Sequence, residues 1–257
     1  MQVGKVNTTE DYDFCVIVPV FNEEDNISML NDVLGGYIKK SSVKTCILFI
    51  DDGSSDSSRS LLIEICHNNP DFFYAGFTKN NGLSAAIKAG IDLAQSKWIG
   101  YIDADLQTSP DDFELLLPHR NEYALMMGIR QGRKDSFVKK ISSKIANSFR
   151  RMMTGDGIED TGCPLKIIDS EYAKRMPLFN GMHRFIPALI QLQNGNVIQI
   201  PVRHFERIAG KSKFHLSNRL LAPFVDCFAF RWMKKRYINY ELTIKNQEAR
   251  NKKQETR

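Results

Sequence analysis

Apolar residues recur along the chain at two spacings. Phe14-Cys15-Val16-Ile17-Val18 is an unbroken apolar run, rich in β-branched residues and stopped by Pro19. Such a run predicts a strand buried on both faces, as parallel sheets require. Cys46-Ile47-Leu48-Phe49-Ile50 repeats it and leads into Asp51-Asp52-Gly53-Ser54. Trp98-Ile99-Gly100-Tyr101-Ile102 does so again and leads into Asp103-Ala104-Asp105. Between these runs, about residues 25–40, 56–67 and 83–95, the pattern predicts helices, with Ile27, Leu30, Val33 and Leu34 marking the first. Strand–helix–strand alternation predicts a doubly wound α/β domain. Further on, Phe137 to Met153 predicts a basic amphipathic helix with Ile141, Ile145 and Phe149 on one face. Asn196 to Val202 predicts a strand, and the last forty or so residues one or two helices with a polar tail.

Each of the three strands ends in an acidic turn. In open α/β sheets ligands lie outside the carboxyl ends of the strands, so Asp51, Asp52, Asp103 and Asp105 are expected in one crevice. Asp56 and Ser109 read as helix caps, Ser109 being followed by Pro110. The paired acids exceed what capping needs.

At 257 residues the chain can bury a full core without disulfide or metal. Its five cysteines are far apart, with no C-x-x-C pair, which argues against a zinc site or disulfide framework and for a reducing, cytoplasmic setting. No signal peptide is evident, and no apolar run reaches membrane-spanning length. Leu220 to Met233 comes nearest and is broken by Asp226 and Arg231.

The net charge of +5 is unevenly spread. Residues 128–155 hold eight Lys and Arg against one Asp, and residues 211–257 hold twelve against four acids. The remainder is therefore net acidic. This segregation suggests an acidic catalytic part beside a basic surface for an anionic partner, unless the stretches are merely solvated helix faces. No nucleic-acid motif accompanies them, so nucleic acid is not an expected partner.

Asp103-Ala104-Asp105 offers two carboxylates with no His or Cys nearby, a set suited to Mg²⁺ or Mn²⁺, and Gln107 can add a carbonyl. Val18-Pro19-Val20-Phe21-Asn22-Glu23-Glu24, Asp51-Asp52-Gly53-Ser54-Ser55-Asp56 and Asp103-Ala104-Asp105-Leu106-Gln107 together resemble family 2 glycosyltransferases. The subgroup resembled makes dolichyl- or undecaprenyl-phosphate sugars. Asn81-Gly82-Leu83-Ser84, Gly128-Ile129-Arg130, Asp160-Thr161-Gly162 and Arg207 to Lys213 extend the match to about residue 215.

The resemblance implies a GT-A (Rossmann-like) fold with a mixed, mainly parallel sheet flanked by helices. It also implies a nucleotide-sugar donor, a polyprenyl-phosphate acceptor and a divalent ion. Pro19, Glu23 and Asp51 or Asp52 take the nucleoside positions. Asp105 and Gln107 take the metal positions, with Asp103 touching metal or donor. Arg130 takes a phosphate position, with Arg133, Lys139 and Ser143 for the acceptor phosphate; Lys139 stands where Arg is more usual. Arg207, Ser212 and Lys213 take the loop over the diphosphate. Where many members have Gly-Phe-Arg, this chain has Gly162-Cys163-Pro164-Leu165-Lys166, and Gly181-Met182-His183-Arg184-Phe185 also falls in the sugar region. Arg184 is assigned there to the donor; His183 stays open between site residue and structural histidine.

A lipid phosphate is already a nucleophile at neutral pH, so inversion by single displacement needs no base. Were the acceptor a glycan or protein hydroxyl, Asp160 would be the base. A UDP-sugar is favoured as donor, GDP-mannose next. The expected organisation is a catalytic domain over 1–215 and a basic helical appendage over 216–257. Leu220, Leu221, Phe224, Phe228, Phe230, Trp232 and Met233, followed by Lys234-Lys235-Arg236, would lie on an anionic membrane surface. That places the protein peripherally on the inner face of the cytoplasmic membrane and leaves room for a separate membrane-protein partner.

Overall fold

The computed structural model describes residues 9–131, 137–205 and 221–240. Its centre is β1 (Phe14–Val20), flanked in parallel by β2 (Thr45–Asp51) and β4 (Trp98–Tyr101). With β3 (Phe72–Gly76), β5 (Leu125–Arg130), β6 (Lys166–Asp169) and β7 (Val197–Val202) they form one seven-stranded sheet of order β3-β2-β1-β4-β6-β5-β7. Only β6 runs antiparallel to its neighbours, pairing Tyr101 with Lys166 on one side and Met127 with Lys166 on the other. The expected mixed, mainly parallel α/β sheet is the fold observed.

Pro19 is tolerated in this central strand for a local reason. The Ile17 carbonyl accepts from Ile102 on the β4 side, and the Val20 carbonyl accepts from Asp52 on the β2 side. Alternation turns Pro19 toward β4, which has already ended, so its missing N–H breaks no ladder bond.

The pleat divides the core. Phe14, Val16, Val18 and Val20 pack with Ile27, Leu30 and Leu34 of α1 (Glu24–Ile38), Leu62 of α2 (Ser58–Asn68) and Phe113 of α4 (Phe113–Leu116). Cys15 and Ile17 pack on the other face with Ile87 and Ile91 of α3 (Leu83–Leu93). The same face takes Ala173 of α6 (Ser170–Arg175), Leu189 of α7 (Ile186–Leu192), Met153 of α5 (Phe137–Thr154) and Phe230 of α8 (Leu221–Lys234). Pro110 opens a 3-10 turn before α4, and the Ser109 hydroxyl accepts from the Asp111 N–H at 3.3 Å, as its reading as a cap requires.

α8 lies against α5, with Phe224 stacked on Phe149 at 4.4 Å and Phe230 stacked on Phe185 at 5.6 Å. The structure therefore divides the apolar set assigned to a membrane. Of that set Phe230 is core and Met233 packs partly buried against it, whereas Phe224, Phe228 and Trp232 are exposed; Cys227 beside them is core and Val225 exposed. Arg150 is likewise no surface cation: it is buried, ion-paired with the buried Asp156, and bonded to the Ile158 carbonyl. All five cysteines are free, and only Cys66 is not buried. Among the described residues no helix is long and apolar enough to cross a membrane.

Candidate functional site

The strand order reverses between β1 and β4, and the loops leaving β1, β2, β3 and β4 meet at that switch point. The loops after β1 and β2 are zipped together. Asn22, at φ +52°, accepts from the Ser55 N–H at 2.7 Å, its own N–H donates to the Ser54 hydroxyl, and the Glu23 N–H donates to the Ser58 hydroxyl. The Glu23 carboxylate accepts from Asn26 at 2.6 Å. Asp56, read as a cap, stands one residue before the N-cap Ser57 and accepts from the first helical N–H, Ser58, at 2.9 Å. Gly53 must be glycine: φ is +71°, and a Cβ would stand 2.3 Å from the Lys79 carbonyl carbon.

The adjacent acids Asp51 and Asp52 do different things. Asp51 is fully buried and accepts from the Ser54 N–H at 2.8 Å, Arg59 Nε at 2.9 Å and the Tyr74 hydroxyl at 3.2 Å. Burial alone would raise its pKa, but those bonds outweigh burial and hold the carboxyl below its ordinary value. Asp52 braces the turn into α3, accepting from Asn80 Nδ2 and from the N–H groups of Asn81 and Gly82 at 2.8–2.9 Å. Burial nevertheless leaves its carboxyl above the usual range.

Past β4, Asp103 accepts from the Tyr101 hydroxyl at 2.6 Å. Asp105 accepts from the Gln107 N–H, and Leu106 between them takes φ +55°. Burial first and the neighbouring Asp105 charge second push the Asp103 carboxyl up to about 6. Two carboxylates that repel each other in a partly open loop, with one amide beside them, fit a hard divalent ion that would relieve the repulsion. Among the described residues no group of three or more His, Cys, Asp or Glu could hold a metal ion by itself, so remaining ligands would come from substrate and water.

Beneath this pair lies Lys166, fully buried, its ammonium bonded to the Cys163 carbonyl and 5.5 Å from the Tyr101 ring centre. Burial pushes its pKa down, while the charges of Asp103 and Asp160 oppose that. Arg130, at the end of β5, forks onto Asp160 with Nε at 2.8 Å and Nη2 at 2.7 Å, and its N–H donates to the same carboxylate. The two side chains are 16% and 13% exposed, so the pair lies at a wall open to solvent.

His183 sits on a 3-10 turn, Met182–Phe185, its Nδ1 2.6 Å from the Ser84 hydroxyl. Burial, then the charges of Arg184 and Lys166, push its pKa down to about 3, so it is neutral at physiological pH. Arg184 pairs at 3.5 Å with Asp226 of α8. After β7, Arg203 forks onto the buried Asp112, and the Phe205 N–H donates to the Gln107 carbonyl at 2.9 Å. Arg133, Arg207, Ser212 and Lys213 lie outside the described residues; Lys139 and Ser143 stand on α5, their side chains outside them too. The structure thus gathers Pro19, Glu23, Asp51, Asp52, Asp103, Asp105 and Gln107 on the ends of neighbouring strands, with Arg130 and Asp160 beside them. Tyr101, Arg59 and Lys166 carry weight that the sequence reading did not assign. A lone Lys in Leu165-Lys166-Ile167-Ile168 was the available signal for the last.

A glycosyl transferase family 2 model matches residues 15–176. Dodecaprenyl-phosphate galacturonate synthase of Rhizobium johnstonii is 30% identical over 221 residues, 84% of this chain and 65% of that protein, so the chain spans just under two thirds of its length. Among solved structures, glucosyl-3-phosphoglycerate synthase from Mycobacterium tuberculosis, with phosphoglyceric acid, superposes at TM-score 0.64 and 13% identity over 97% of this chain and 89% of that one. The mannosyltransferase from Pyrobaculum calidifontis, with GDP-mannose and Mn²⁺, does so at TM-score 0.62 and 16% identity over 90% and 66%. Those two share the fold. The chain belongs to glycosyl transferase family 2.

Proposed function

We propose that the protein transfers a sugar, with inversion, from a nucleotide-diphosphate sugar to a polyprenyl phosphate at a membrane surface. The observation that carries this reading is the Arg130–Asp160 fork beside Asp103 and Asp105. A carboxylate with both oxygens on a guanidinium is poorly placed to take a proton, so the geometry favours an acceptor that needs no base. The guanidinium keeps further N–H donors for an acceptor phosphate.

In the reaction so read, an acceptor phosphate oxygen attacks the anomeric carbon as the bond to the leaving diphosphate breaks. Pro19, Glu23 and the braced turn of Asp51 and Asp52 shape the nucleoside face. Asp103, Asp105 and Gln107 would hold Mg²⁺ or Mn²⁺, which neutralises charge on the diphosphate. Arg130, with Lys139 and Ser143 of α5, orients the acceptor phosphate, and proximity supplies most of what remains. The exposed Phe224, Phe228 and Trp232, beside Arg231, Lys234, Lys235 and Arg236, support contact with an anionic bilayer. The polyprenyl-phosphate relative supports the acceptor class, and the structures solved with UDP-glucose or GDP-mannose support the donor class, UDP-sugars first.

The test is incubation with a short polyprenyl phosphate, Mn²⁺ or Mg²⁺ and a panel of nucleotide sugars, with mass spectrometry of the lipid fraction. A new glycosyl-phosphoryl lipid is expected, and Asp160→Asn should still make it, more slowly. Release of nucleotide without lipid product, together with transfer to a hydroxyl acceptor that Asp160→Asn abolishes, would overturn the reading.

A further inference from the structure

The His183 imidazole is held at Nδ1 by a contact that the mechanism above does not use. Its Nδ1 meets the Ser84 hydroxyl at 2.6 Å, and that same oxygen accepts from the Gly181 N–H at 3.0 Å. The hydroxyl that accepts from Gly181 keeps its own proton to give, and when it gives that proton to Nδ1 the neutral ring carries its proton on Nε2, the tautomer taken below. Nε2 bonds to no described residue, and it is not among the buried polar atoms left without a partner, so it opens outward rather than into the core.

The turn that carries the ring is rigid. Gly181 takes φ +89°, and a Cβ there would stand 2.4 Å from the Asp226 carboxylate. Arg184 is tied to that carboxylate, and Phe185 stacks on Phe230 at an interplanar angle of 12°. Ser84 lies in the first turn of α3, directly after the Asn81-Gly82 turn that Asp52 clamps. The charged neighbours felt by the ring are both cations, Arg184 and Lys166, and Lys166 underlies Asp103 and Asp160. Through Ser84 the ring stands beside the helix that follows the turn assigned to the nucleoside, and the Lys166 charge that underlies the phosphate wall reaches it. In a donor laid across that crevice, the group between nucleoside diphosphate and acceptor is the transferred sugar.

We propose that His183, oriented by Ser84, donates a hydrogen bond from Nε2 to an oxygen of the transferred sugar and so determines which sugar the enzyme accepts. This deepens the glycosyl-transfer reading and rests on its donor half alone. A neutral donor with a fixed direction suits such a role better than it suits holding phosphate, for which charge is the better tool. A site built to satisfy a substrate oxygen also rejects analogues that lack it, because its own donor is then left unpaired.

The test uses the full chain with Mn²⁺ and compares calorimetric affinities for UDP or GDP with those for the matching nucleotide sugar. His183→Ala should bind the bare nucleotide within about twofold of wild type and the nucleotide sugar roughly tenfold more weakly, the scale of one lost hydrogen bond. His183→Gln, which restores an N–H near the Nε2 position, should recover much of that loss, and Ser84→Ala should show part of it. Deoxy-sugar donors should include one that wild type binds less well and His183→Ala does not. Equal affinities in wild type and His183→Ala would overturn the proposal, as would a parallel loss of bare nucleotide at unchanged melting temperature. The acceptor takes no part in these measurements. Wild type that binds nucleotide sugars but makes no glycosyl lipid would overturn the polyprenyl-phosphate reading and leave the role of His183 standing. Wild type that binds no nucleotide sugar would overturn both.

Discussion

Arg130 and Asp160 form a fork whose value lies in direction as much as in charge. Nε and one Nη2 hydrogen are spent on the carboxylate, and the plane they fix aims the remaining donors. Arg130→Lys keeps the charge and loses that plane, so transfer kcat/KM should fall roughly 10–100-fold while melting temperature moves little; equal turnover would show that charge alone suffices. His183 gives a second expectation. Its folded pKa of about 3 lies below the ordinary 6.5, so the folded protein binds fewer protons than the unfolded chain between those values. Stability from this group is full above pH 6.5 and is lost as pH falls toward 3. Asp103, raised to about 6, works in the opposite sense between about pH 4 and 6. The comparison that isolates His183 is therefore wild type against His183→Gln, whose melting temperature should fall less on acidification from pH 7 to 4.5. At this scale the acids were legible because turns with paired carboxylates are dense in chemistry. Tyr101 and Lys166 were not, because only the antiparallel pairing of Tyr101 with Lys166 brings an apolar strand's hydroxyl and a lone cation under Asp103.

At the scale of elements, the loops after β1 and β2 behave as one unit, because each supplies the other's backbone with partners. Gly53 is the hinge of that unit. Gly53→Ala should cost about 1–2 kcal/mol for left-handed backbone alone, and more because the Cβ meets the Lys79 backbone rather than a movable side chain. Urea unfolding measures it; a loss under half a kcal/mol would mean the turn can be rebuilt. The strands β1, β2 and β4 were readable because burial on both faces writes a continuous β-branched run. β5 was not, since its one β-branched residue, Ile129, comes late, after Gly128. β3 and β6 are short, and β6 opens on a lysine. For α8, periodicity alone could not say which apolar residues pack on the rest of the protein. Phe224 stacks on Phe149 of α5 while staying partly exposed, and Phe230 is buried against Phe185 of the 3-10 turn.

For the whole molecule, one rim combines the exposed Phe224, Val225, Phe228 and Trp232, the last 62% exposed, with the cations at the end of α8. Sedimentation with anionic liposomes should recover the protein at low salt and release it as ionic strength rises, since each basic residue near the surface contributes about 1 kcal/mol. Replacing Phe224, Phe228 and Trp232 by Ser should abolish retention; equal binding to neutral liposomes would remove the electrostatic part of the argument. The free thiols carry a different consequence. Cys15 and Cys46 face each other across the central strands, and Cys227 is buried on the inner face of α8; the hydrogen bond with Cys15 and then burial raise the Cys46 thiol, and burial raises those of Cys66 and Cys227. In the native molecule the buried thiols should be nearly inert to thiol reagents while the partly exposed Cys66 stays reachable, so each modification of Cys15, Cys46 or Cys227 becomes a clock for an opening event. If α8 lifts away by itself, Cys227 will be labelled long before Cys15 and Cys46; if it opens only with the sheet, all three will share one rate.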